Sequence, residues 1–217
     1  MSTRDPKSII EKFAEIARPE ILREFPMRAN CIESSLITVA VLRQYGIDAV
    51  PMAVKLGVWP KNRQQPGVSI GGICGRRHHR GLWKGSFAAH LIAVVPADGL
   101  LIDSSIDQVG LPGFAAPCPL VLRVNRRFCE IYKSIAYPPR SENTTVNYDL
   151  PDFELSYTQD RIPEGVKKAL CVDDRIISVV KVICERLDGS KTKPQTGFKS
   201  SAEVTKNVPL DQETVLA

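Results

Sequence analysis

A chain of 217 residues, 43% of them apolar, can build one sizeable core and suits a single domain. Its net charge of +5 and isoelectric point of about 8.9 are mildly basic, too little on their own to point to nucleic acid. No segment is long and apolar enough to span a membrane or to read as a leader. The six cysteines are scattered without a paired motif, so reduced thiols in a cytoplasm are the simpler expectation than a disulfide framework.

The first helix is expected from about Ile9 to Arg23, capped by Ser8 or Asp5. Ile9, Ile10, Phe13, Ile16, Ala17, Ile21 and Leu22 form its apolar side, and Pro19 is expected to break it in two. A short extended approach, Phe25 to Asn30, leads to Cys31. Ile32, Leu36, Val39 and Arg43 recur at helical spacing, with Val41 and Leu42 thickening the apolar side, up to a natural stop at Gly46. Cys31 therefore opens a helix buried over much of its surface. A thiolate gains there from unpaired backbone N–H groups and from the helix dipole. The ordinary reading is a buried structural cysteine. Asn30 could donate to an oxyanion through its amide, although a cap or turn is its commoner role.

Residues 47–58 read as a strand, in which Pro51 argues for an edge position or a bulge. A distinct insert, 59–86, follows. Between Lys55 and Ser86 lie Lys55, Lys61, Arg63, Arg76, Arg77, Arg80 and Lys84, with no Asp or Glu. This basic loop could attract an acidic peptide or touch nucleic-acid phosphates, or could be merely solvated. Trp59 and Trp83 flank it and either line a groove or pin the loop to the core. Cys74, His78 and His79 lack the paired spacing that a structural zinc site wants, so no metal is assigned.

The runs 87–95 and 100–105 are joined by Pro96-Ala97-Asp98-Gly99 and read as a hairpin. With those residues as the loop, Val95 faces Leu100 and Ile92 faces Asp103. His90 and Asp103 then lie diagonally on one face; a three-residue loop would part them. Both interrupt apolar strands, where a histidine and a carboxylate are tolerable only as a hydrogen-bonded pair. Asp107 is a rival acid outside the strand. Gln108 could donate to substrate or cap the turn. Two further strands are expected at 120–124 and 128–133, with Cys118 and Cys129 structural. A long loop is expected over 137–160, a short helix over 163–170, and a helix capped by Asp173 and ended by Gly189. A disordered tail, 189–217, completes the chain after one domain at 1–188.

Thiol, imidazole and carboxylate thus occur in the order Cys31, His90, Asp103. The segments 30–50, 90–95 and 101–108 together resemble the transglutaminase-like branch of the papain-like cysteine enzymes. The resemblance implies an α+β fold with an N-terminal cysteine helix packed on an antiparallel sheet. It implies a Cys31–His90–Asp103 triad performing acyl transfer on peptide or glutamine amide bonds, as protease, deamidase or transglutaminase, with no cofactor. Ala29, Asn30 and Leu91 stand where the family often carries aromatic residues, and the basic insert is distinctive. The substrate implied is a protein or peptide, acidic if the loop 61–84 contacts it. The alternatives are a catalytically inactive scaffold, or a module that binds nucleic acid or an acidic partner through that loop.

Overall fold

The computed structural model describes residues 5–26, 30–62, 65–70, 90–129, 145–160 and 172–189. Among them are three long helices, α1 (Pro6–Glu24), α2 (Cys31–Gln44) and α3 (Asp174–Leu187). The strands are β1 (Val50–Pro60), β2 (Val68–Ile70), β3 (His90–Val95), β4 (Leu100–Asp103), β5 (Leu120–Arg123), β6 (Thr145–Asp149) and β7 (Phe153–Gln159). They form one antiparallel sheet in the order β5-β4-β3-β1-β7-β6, with β2 also on β1. The protein is therefore a mixed α+β structure built of helices on an antiparallel sheet. No described helix is long and apolar enough to cross a membrane.

Alternation along the strands sends side chains into two cores. Ala53, Leu91, Ala93, Val95 and Ile102 pack with the helices. Met52, Val54, Leu56, Ile92, Val94 and Leu101 pack on the other face with Leu155, Tyr157, Ile106 and Phe128. Helix α2 is buried from Ser34 to Leu42, as expected for a helix apolar on most sides, and lies against β3 and α3. Gly46 ends it at φ +75°, a conformation that disfavours a side chain.

Four expectations are corrected. First, α1 runs unbroken through Pro19. The proline sits on the exposed side, where water can satisfy the carbonyl it strands, while Ala17 and Ile21 hold the opposite side in the core. Second, β1 is central and not an edge. Pro51 is tolerated because, among the described residues, β7 pairs with β1 only from Val54 onward, so the ladder on that flank makes no call on the N–H that Pro51 lacks. Third, residues 145–160 are not a loop but the hairpin β6–β7, with Phe153, Leu155, Tyr157 and Gln159 turned inward. Fourth, residues 126–129 are helical, not a strand. Asn125 accepts from Arg127 N through its side chain at 3.0 Å and from Phe128 N through its carbonyl at 2.9 Å.

Candidate active site

The register that positions the site begins at the turn 96–99. Asp98 N reaches Val95 O at 3.2 Å, and the pairs Val95–Leu100, Val94–Leu101 and Ala93–Ile102 follow. Continuing that ladder sets Ile92 beside Asp103 and leaves His90 diagonal to it, as the four-residue loop requires. The diagonal is closed by a hydrogen bond of 2.7 Å between His90 Nε2 and Asp103 Oδ2, both residues essentially without solvent exposure.

Asp103 is held from other directions. Its Oδ2 also accepts from Tyr157 Oη at 3.0 Å, and its Oδ1 accepts from Ser105 N at 3.0 Å and Ser105 Oγ at 3.4 Å. A buried carboxylate is stable only when its lone pairs are met in this way. Tyr157 comes from β7, within the stretch 137–160 expected to be a loop. The signal for it was the alternation of Phe153, Leu155 and Tyr157 with polar neighbours.

Cys31 is the first residue of α2 and is partly exposed. Its sulfur is a hydrogen-bond and charge partner of the His90 imidazole. Burial by itself lowers the His90 pKa. The Asp103 carboxylate and the Cys31 sulfur outweigh it and raise the imidazole to about 10. Two clamps fix the cysteine helix against these strands. Ser35 Oγ donates to Leu91 O at 2.7 Å, and Thr38 Oγ1 meets Ser104 Oγ at 2.7 Å.

Asn30 precedes the cysteine and is 1% exposed. Its Nδ2 donates to Phe25 O at 2.8 Å. Its Oδ1 accepts from Gln108 Nε2 at 2.7 Å, Ser34 Oγ at 3.1 Å and Arg18 Nη1 at 3.2 Å. These bonds make Asn30 a bracket behind Cys31. Gln108 lies partly exposed beside that bracket. Asp107 is not a rival partner for His90, since Arg18 grips it through two bonds of 2.9 and 2.5 Å. Arg18, 7% exposed and unforeseen from the sequence, belongs to α1.

Burial and the Asp107 carboxylate push Cys118 up to about 12, and burial pushes Cys184 up to about 11. Lys61 meets Asp149 at 3.5 Å. Arg63, Arg76, Arg77, Arg80 and Lys84, with Cys74, His78, His79 and Trp83, lie outside the described residues, as do 163–170 and the tail from 190 onward. Among the described residues no cluster of metal-ligating side chains occurs. Comparison with protein-family models, curated proteins and solved structures finds no match for this chain.

Proposed function

We propose that this protein is a cysteine-dependent acyl-transfer enzyme with the transglutaminase-like arrangement of the papain-like class. The observation that carries the reading is the His90 imidazole set between the Asp103 carboxylate and the Cys31 sulfur at a helix start. An isolated buried histidine would need one partner. This one has a carboxylate to orient it and a partly exposed nucleophile to serve.

In the proposed cycle the Cys31 thiolate attacks the carbonyl carbon of a peptide bond or glutamine carboxamide. A carbon–sulfur bond forms, and the oxyanion accepts from the backbone N–H of Cys31, with Gln108 as a further donor. The carbon–nitrogen bond then breaks as His90 delivers its proton to the leaving nitrogen. Water, deprotonated by His90, hydrolyses the thioester to a carboxylic acid; an amine in its place yields a new amide. The chemistry calls for no metal. The substrate is a protein or peptide, and an acidic one if the insert's positive charge steers it.

The test is the rate of iodoacetamide labelling across pH, resolved cysteine by cysteine, in the native chain and in His90→Ala. Cys31 should label at least about tenfold faster than Cys118 or Cys184 near neutral pH and lose that advantage in the variant. Equal rates at Cys31 in the two proteins would sink the proposal and leave a scaffold or a binding module.

A further inference from the structure

We propose that Tyr157 is a positioning residue of the proposed active site, one that governs how tightly Asp103 holds the His90 imidazolium. The inference rests on the acyl-transfer reading above. Tyr157 Oη and His90 Nε2 bond the same carboxylate oxygen, Asp103 Oδ2, at 3.0 and 2.7 Å. Donors that share an oxygen compete, because each draws electron density from it. A carboxylate relieved of one donor therefore attracts a neighbouring cation more strongly.

The other oxygen, Oδ1, is anchored separately by Ser105 N and Ser105 Oγ. Loss of the phenol hydroxyl would leave Asp103 in place. Tyr157 is fully buried, and burial followed by the Asp103 charge pushes its pKa well above the ordinary phenol value, so it remains a proton donor throughout the working range.

The other titratable or charged groups around this pair come from separate elements. Cys31 is on α2, Cys118 lies on the approach to β5, and the Arg18–Asp107 ion pair joins α1 to the turn after β4. None of them bonds Tyr157 Oη among the described hydrogen bonds, so a change at that hydroxyl reaches His90 through Asp103.

The experiment follows the His90 ring nitrogens by NMR in the full chain. The sequence has three histidines, and His90→Gln identifies the signal. In Tyr157→Phe the His90 titration midpoint should rise by about 0.5–1 pH unit. With 3-fluorotyrosine incorporated at position 157, a more acidic phenol and stronger donor, it should fall. Opposite movements are expected from a tuned hydrogen bond and not from a packing role. Midpoints that stay put, or move together, overturn the proposal. If Tyr157→Phe does not fold, the fluorinated protein decides alone. Cys31 labelling in the same samples separates the two ideas. Labelling indifferent to His90 defeats the enzyme reading, whereas His90-dependent labelling with an unmoved titration defeats only the role of Tyr157.

Discussion

Asp103 shows how much of this site is decided by single atoms. Its carboxylate receives His90 Nε2, Tyr157 Oη, Ser105 N and Ser105 Oγ in a place without solvent. Asp103→Ala strands all of these groups and should cost about 3–5 kcal/mol in denaturant unfolding. Asp103→Asn keeps the shape and should cost less, while still slowing Cys31 labelling at least about tenfold. The pH dependence has a definite sign. The folded chain raises His90 from 6.5 to about 10, so its contribution to stability is complete below about 6.5 and fades as pH climbs through about 10. Thermal melts should show an alkaline loss in the native chain that is smaller in His90→Gln. A loss of equal size in both would assign it to other groups.

Elements carry a different kind of test. Helix α1 holds Pro19 in its interior on the exposed side. Pro19→Ala restores a backbone donor and removes a ring clash, at the expense of a freer unfolded chain; the net should be a gain of about 1–2 kcal/mol. An unchanged or lower melting temperature would mean that α1 has adapted to its proline. On β1, the half-exposed Trp59 indole lies over Gly57 and Gly67, where an added Cβ would come within 1.8 and 2.3 Å of the ring. The tryptophan thus pins β1 to the start of β2, and its exposed face could still border a groove. Gly57→Ala should lift the indole off the strand, red-shift its fluorescence and lower stability by about 1–3 kcal/mol.

At the scale of the molecule, the buried Arg18 ties three parts of the chain together. It reaches from α1 to Asn30 and Ser34 at the cysteine helix and to Asp107 after β4. Asp107 is 39% exposed, so water screens the ion pair itself. Arg18→Met should therefore destabilise more than Asp107→Ala, because it also removes the guanidinium bonds to Asn30 and Ser34 behind Cys31. The reverse order would make the ion pair the dominant bond. Strands β2 and β3 lie along the same flank of β1, Ile70 opposite Leu56 and His90 opposite Val54.

What the sequence determined by itself was local. Periodicity located α2, Gly46 ended it, and a Pro/Asp/Gly turn set a strand register that brings His90 and Asp103 to one face, because alternation and loop length are properties of neighbouring residues. Tertiary structure decided the rest. The partners of Asp103 at Tyr157, of Asn30 at Arg18 and of Cys31 at His90 lie far apart in the chain, and no local pattern marks which side chains meet. It also decided where propensity yields. Pro19 stays helical and Pro51 stays in a central strand because burial of their neighbours outweighs a local penalty, and that burial exists only once helices and sheet have packed.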